Sequence, residues 1–206
     1  MRQNPGRRAA LLDAAIEVLA REGSRGLTFR AVDTQAGVPA GTASNYFAGR
    51  DELIDQVGGR VYERLRPSDA QLAAARGERA DLVALTRDVV ARLLAFPSGY
   101  LALVELRLEA MRRPRLRSTL TGMIKADLDA DVAFHRETAH PGDATTVRLL
   151  YLAVNWLVLE RLTLPDVFTP AETEALIEAA VDRLAVVAPP GAANRRDDRD
   201  RRIVGR

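Results

Sequence analysis

The 206-residue chain is predicted to be all-α, with an N-terminal three-helix head joined to a larger helical body. Three observations predict it. Ala, Leu, Glu and Arg, which lose little conformational freedom in a helix, are in surplus, while aromatic residues make up only 5%. Apolar residues recur three and four apart along most of the chain, the spacing that lines one face of a helix. Nowhere does a useful run alternate apolar and polar residues as a half-buried strand does, and there is no internal repeat. With 47% hydrophobic and 28% charged residues, the composition supports a packed core and excludes wholesale disorder.

Each element follows from local pattern. Leu11, Leu12, Ala15, Ile16 and Leu19 give an amphipathic helix over 7–22, ended by Gly23. Thr28 caps a short helix over Phe29 to Gln35, with Phe29, Ala31 and Val32 on one face. Ala36, Gly37, Val38 and Pro39 form a tight turn in which Gly37 supplies a positive φ and Val38 fills the corner. A second short helix runs from about Ala40 to Phe47, with Phe47 as its core anchor. Leu53, Ile54, Val57, Val61 and Leu65 mark a connecting helix over 51–66, up to Pro67. Further helices are expected at 79–95, stopped by Pro97, at 100–112, stopped near Pro114, at 115–138, stopped by His140, Pro141 and Gly142, and at 143–162. The last begins near Thr169, with Pro170 in its first position and Glu172 and Glu174 in its first turn, and ends before Pro189. The tail, 188–206, has almost nothing apolar to bury and reads as a disordered basic end.

Charge is unevenly spread. Residues 1–50 carry seven Arg against four acids, 51–187 carry seventeen basic residues against twenty-one acids, and 188–206 carry six Arg against three Asp. A basic head is thus joined to an acidic body, and a net charge of +2 conceals the difference. Zero cysteines exclude disulfide scaffolds, thiolate metal sites and cysteine nucleophiles, and fit a reducing cytoplasm. The N-terminus shows no apolar targeting segment. The longest apolar run, Leu149 to Leu159, is half the length of a membrane span and reads as a buried helix. A cytoplasmic location and no membrane partner are expected.

The stretch from Gly26 to Phe47 carries the functional signal. Two short helices across a glycine turn, preceded by a longer supporting helix, make a helix-turn-helix centred on 28–47. Gly41, Thr42, Ala43 and Ser44 are small enough for a close approach of the second helix to DNA. Thr42, Ser44, Asn45 and Tyr46 offer hydrogen-bonding groups to phosphates and base edges, with Ala40 at the start of that helix. Arg7 and Arg8 at the start of the first helix, Thr28 and Arg30 at the start of the second, and Arg50 after Phe47 are placed for phosphates. A polar helix beside a glycine bend, with no DNA role, is the plainer alternative.

At these residues the sequence resembles the TetR family of bacterial transcriptional regulators. The family pattern appears as Gly23, Leu27 and Thr28, then Ala36-Gly37-Val38-Pro39, Gly41 and Thr42, Tyr46 and Phe47, and finally Arg50-Asp51-Glu52-Leu53, covering about 7–55. Pro39 stands where the family often has serine, which removes a side-chain cap from the recognition helix, and Ser44 stands where many members have tyrosine. Base preference is therefore expected to rest on Asn45 and Tyr46.

The resemblance implies that 51–187 binds a small-molecule effector and forms a homodimer through its last two long helices, at about 143–162 and 169–187. The sequence agrees, since residues 147–162 are apolar on nearly every face and must be covered on both sides. Paired heads would then read half-sites about 34–36 Å apart on double-stranded operator DNA. Polar groups within apolar helices mark candidate effector contacts: Glu105 between Val104 and Leu108, Asn155 and Trp156, with Tyr62 and Tyr100 as aromatic walls. Glu105 could instead be exposed, Trp156 could lie in core or dimer interface, and Asn155 could bond across the two-fold axis. Asp127, Asp131 and His135 share one helical face, with His140 in a nearby loop, and read as a solvated stripe. No metal or cofactor is expected.

The function expected is a DNA-binding transcriptional regulator, a repressor released from a palindromic operator by a small ligand. A helix-turn-helix architectural protein without a ligand remains the alternative. An all-helical enzyme is disfavoured because no nucleophile elbow, phosphate loop, dinucleotide fingerprint or paired-histidine metal motif is present.

Overall fold

The computed structural model describes residues 4–76, 81–138 and 140–185. The 188–206 tail lies outside the described residues. Among those described, ten helices and no strands are present. The head holds α1 (Pro5–Gly26), α2 (Phe29–Gln35) and α3 (Thr42–Tyr46), and α4 (Arg50–Leu65) leads into the body. The body continues with α5 (Asp69–Ala75), α6 (Leu82–Leu94), α7 (Pro97–Ala110), α8 (Pro114–Glu137), α9 (Ala144–Thr163) and α10 (Pro170–Leu184).

Local rules explain most boundaries. Asn4 caps α1 through its side chain, accepting from the Arg7 amide at 3.3 Å, so the helix starts two residues earlier than the apolar pattern indicates. Gly23, at φ 68°, breaks α1 where expected, but a further turn follows the kink to Gly26. Pro97 and Pro114, expected as stops, are first-turn residues of α7 and α8, where a missing N–H costs nothing. Thr169 and Glu172 cap α10 reciprocally, and Asp143 and Thr146 do the same for α9. The short helix α5 has no counterpart in the apolar spacing; Ser68 and Gln71 start it by reciprocal bonds of 2.8 and 3.3 Å.

One apolar cluster runs from the head into the body. Leu11, Ile16, Leu19, Leu27, Val32 and Phe47 pack with Leu53, Ile54 and Val57 of α4, Ala102 and Leu106 of α7, and Leu116 and Leu120 of α8. α1 packs more extensively on α7 than on any other helix. A second cluster joins α6, α7, α9 and α10 through Val90, Tyr100, Val154, Val158 and Ile177, and a third holds Leu150, Val181 and Ala185.

α9 is covered on one side only. Leu150, Val154 and Val158, each four residues apart, are buried, while Leu149, Leu152 and Trp156 lie on the opposite face. Leu152 is 60% and Trp156 68% exposed. The expectation of a helix buried throughout thus holds for one stripe within this chain. Among the described residues no single helix is long and apolar enough to cross a membrane.

Candidate nucleic-acid interface and effector groove

The recognition helix is shorter than expected and is capped from outside itself. α3 begins at Thr42; Ala40 and Gly41 belong to the preceding turn, with Gly41 in the left-handed region at φ 89°. Pro39 leaves no side-chain cap there, and Asp33 of α2 supplies one. Its carboxylate accepts from the amides of Gly41 and Ala43, both at 2.7 Å, and the residue is 2% exposed. Two amides that would otherwise lack a partner are thereby satisfied by a charged acceptor. Sequence reasoning missed Asp33, although the uncapped Pro39 turn demanded an acceptor from nearby.

The rear of α3 is sealed by Ala43 and Phe47, both buried, and Tyr46 packs partly against the same cluster. Ser44 and Asn45 are exposed, as are Ala40 and Gly41. The hydroxyls of Thr42 and Ser44 donate to the carbonyls of Pro39 and Gly41 at 2.6 and 2.8 Å, which fixes their rotamers and leaves their lone pairs facing outward as acceptors. Thr28 caps α2 as expected, accepting from Ala31 at 3.1 Å.

The arginines divide into two groups. Arg7 and Arg30 are exposed. Arg8 and Arg50, expected at phosphates, are instead held inside the head. The Arg8 guanidinium donates to the Tyr46 carbonyl and Glu52 at 2.7 Å and to Gln56 at 2.9 Å, and lies 4.8 Å from the Phe47 ring centroid. It joins α1 to the end of α3 and to α4. Arg50 donates to the carbonyls of Ser24 and of Leu27, the latter at 3.2 Å, and approaches Glu109 at 3.9 Å. The reason in both cases is that α4 packs beside α1, bringing acceptors from distant parts of the sequence within reach.

In the body, polar groups gather along the seam between the first and second clusters. Burial pushes the Tyr62 hydroxyl up, with Tyr151 and Asp127 adding and Arg107 opposing. Burial also raises Tyr100, to about 12, despite Arg107. Asp127 is raised by burial, and Asp131 by burial and then by Asp127. Arg92 is lowered by burial, and its buried Nε has no hydrogen-bond partner. A groove of about 380 Å³ opens between α4 and α8, with Gly59, Arg66 and Met123 among its walls, and shares Tyr62 and Asp127 with this seam.

Four expected effector contacts fall near this seam: Tyr62, Tyr100, Val104 and Asn155, with the Tyr100 hydroxyl donating to the Asn155 carbonyl. Three do not. Glu105 accepts from the Ser24 amide at 3.2 Å and faces the head, Leu108 is half exposed, and Trp156 lies on the open face of α9. Tyr151, Arg107, Asp127, Asp131 and Arg92 were missed as seam residues, because spacing within one helix does not report which residues of other helices come near. Arg107 and Asp131 reach solvent as periodicity indicates, yet act on Tyr62, Tyr100 and Arg92. The expectation of a solvated stripe also fails at His135, which is 7% exposed, with its ring centroid 6.2 Å from that of His140. Among the described residues no group of three acids or histidines is arranged to hold a metal ion.

Fold and geometry define a class: a helix-turn-helix head, rigidly capped, on a helical body with a polar groove. Comparison with known families agrees. Residues 11–57 match the bacterial regulatory proteins of the tetR family, and residues 77–186 match the tetracyclin repressor-like C-terminal domain. The chain belongs to the TetR family of transcriptional regulators, which are not enzymes. The regulator BetI of Rhizobium meliloti is 31% identical over 72% of this chain and 77% of its own length. An uncharacterized HTH-type regulator of Xanthobacter autotrophicus is 36% identical over 44% of this chain, which spans about half that relative (46%). Among solved structures, the multidrug binding protein EbrR, complexed with imidazole, is 30% identical, covering 91% of this chain and 99% of its own, with TM-score 0.62. A regulator from Rhodococcus, at 21% identity and TM-score 0.70 over 87% of this chain and 98% of its own, shares the fold. Regulators of this family bind DNA operators, dimerise and bind small-molecule ligands.

Proposed function

We propose that this chain is a homodimeric repressor whose α3 helices read two half-sites of a palindromic operator and whose body releases the DNA when a small molecule enters the groove. The observation that carries the reading is α3 itself: a short helix of small polar residues whose back is buried and whose amides are fixed by Asp33. Ser44 and Asn45, with acceptor lone pairs from Thr42, would meet base edges, and Arg7, Thr28 and Arg30 would meet phosphates. With Arg8 and Arg50 engaged internally, a modest number of phosphate contacts per head is expected, and a correspondingly modest salt dependence.

The partner subunit would cover Leu149, Leu152 and Trp156 of α9 together with Leu176 of α10, an apolar face that a monomer would leave in water. The effector would sit against Tyr62, Tyr100 and Tyr151 with Arg92, Arg107, Asp127 and Asp131 as polar contacts. That EbrR is described as a multidrug binding protein supports a small organic effector. A ligand preferring one arrangement of the heads lowers operator affinity, and operator lowers ligand affinity by the same factor. Such a protein acts on chromosomal DNA in the cytoplasm.

Selection of duplexes from a random pool by the purified wild-type protein tests the reading. Enrichment of one palindrome is expected, and Asn45→Ala should lose that preference while light scattering still reports a dimer. A wild-type protein that enriches no sequence would falsify the operator assignment.

A further inference from the structure

Helix α7 carries two sets of side chains on two faces. Tyr100 and Arg107 look towards the effector seam, while Ser98, Glu105 and Glu109 look towards the head. The head-facing set makes an extended hydrogen-bonded latch. Ser98 donates to Glu17 of α1 at 2.6 Å. Glu105 accepts from the Ser24 amide at 3.2 Å, and Glu109 from the Ser24 hydroxyl at 2.9 Å, so both carboxylates bind the turn that follows the Gly23 kink. Glu109 also accepts from Arg113 at 2.5 Å and Arg112 at 3.1 Å, and Arg113 continues the chain to Asp51 in the first turn of α4. From the other side Arg50 donates to the carbonyls of Ser24 and Leu27, closing the loop between α1, α4 and α7.

Glu109 is the centre of this arrangement. It is 7% exposed yet charged, and the bond from Arg113, with those from Ser24 and Arg112, holds its carboxyl well below the ordinary range, at about 2, against the opposing effect of burial. The rest of the contact between α1 and α7 is apolar, with Leu11, Ile16 and Leu19 in one cluster with Ala102, Leu103 and Leu106. α1 is tied separately to α4 by Arg60, which donates to both Asp13 oxygens at 2.9 Å, and by Arg64 at 3.3 Å. Apolar packing is non-directional and tolerates small rotations, whereas hydrogen bonds lose strength steeply with angle. The latch therefore sets the angle of α1 against α7, and the apolar contact keeps the two helices attached.

We infer that Glu109, with Ser24 as its partner on α1, is the positioning residue through which the body sets the orientation of the DNA-reading head, so that the effector signal reaches the head along α7. This rests on the operator-binding reading above. A single helix would join groove and head: a ligand that displaces Tyr100 or Arg107 moves the carboxylates on the opposite face of the same helix, and no intermediate element is required. The connecting helix α4 would follow through Arg50 and the Arg113–Asp51 pair.

The test uses the full chain and two DNA probes: the duplex enriched by the wild-type protein and a mixed-sequence duplex of equal length. Binding to the enriched palindrome needs both heads at one spacing, whereas mixed-sequence binding needs only phosphates. Loosening the latch spreads the heads over orientations and reduces the competent fraction. Glu109→Gln and Ser24→Ala should each lower the ratio of the two affinities about tenfold, and Ser24→Thr, which keeps the hydroxyl, should restore it. Ser24→Ala removes one hydroxyl and leaves the core untouched, so it decides the question if Glu109→Gln fails to fold. A ratio equal to or above wild type in Ser24→Ala overturns the proposal, as does parallel loss on both probes. If the wild-type protein enriches no duplex, the operator reading falls and the latch with it; if it does and the variants match it, only the latch falls.

Discussion

The head and the body of this chain satisfy their polar groups in different ways. In the head the buried carboxylate of Asp33 meets two amides, the Arg8 guanidinium meets Tyr46, Glu52 and Gln56, and Phe47, the largest fully buried side chain among the described residues, closes the rear of α3. In the body Arg92 Nε, His135 Nε2 and His140 Nε2 are buried without partners, and Asp127 and Asp131 are raised by burial. Burying a polar group without a partner costs free energy, so a fold retains such groups where something else is served. The head is built to hold one shape in front of a rigid duplex. The body keeps unmet hydrogen-bonding capacity at these buried groups, with Asp127 on the wall of the groove between α4 and α8, which suits a region that is completed by a ligand.

The sharpest way to break the contrast is at the open face of α9. Replacing Leu152 by Glu puts a charge into the surface proposed to be covered in the dimer, and should weaken association by about 3 kcal/mol, roughly a hundredfold. Sedimentation at several concentrations should show a monomer with wild-type helix content. A variant that stays dimeric would move the interface elsewhere.

Next in size is the cap. Asp33→Ala leaves the Ala43 amide buried without an acceptor and takes the acceptor from the Gly41 amide, and should cost about 2 kcal/mol, seen as a lower urea midpoint with an unchanged slope. The body offers the opposite sign: at Asp131, which reaches solvent but whose charged form is disfavoured by partial burial and by the neighbouring Asp127, Asn should leave the protein at pH 7 at least as stable as wild type. A loss at Asp131 comparable with that at Asp33 would erase the distinction between the two regions.

The smallest effect separates the regions by pH. Glu109 has its carboxyl lowered from 4.5 to about 2 in the folded state, so its contribution is fully present above about 4.5 and is lost as pH falls towards 2. Asp131 is raised on folding, so its unfavourable contribution diminishes as pH falls through the carboxylate range. Urea midpoints measured from pH 6 to pH 3 should therefore fall less steeply in Glu109→Gln than in wild type, and more steeply in Asp131→Asn.

Much of the head was legible beforehand because its signals are local. Thr28 bonds an amide three residues away, Gly37 has the positive φ its turn requires, and Phe47 is buried at the end of α3. The internal partners of Arg8 and Arg50 were not legible, for the opposite reason. Arg8 meets Glu52 across 44 positions and Arg50 meets Leu27 across 23, and no periodicity reports such a meeting. In the body the helices were found but their faces were not. α9 is apolar around its whole circumference, so spacing could not distinguish Val154, which is buried, from Trp156, which is open to a partner.

By itself the sequence determined an all-helical chain, the approximate helix boundaries, the cap at Thr28, the start of the last helix near Thr169, the glycine turn and the helix-turn-helix it forms. These depend on backbone sterics and on hydrogen bonds spanning three or four residues. Only the tertiary structure decided which arginines reach solvent, that Asp33 replaces the cap missing at Pro39, that one apolar cluster runs through head and body, and that Glu105 and Glu109 grip the kink of α1. Those outcomes depend on which helices pack together, and that is set by the burial of whole faces, a non-directional force acting over the entire chain at once.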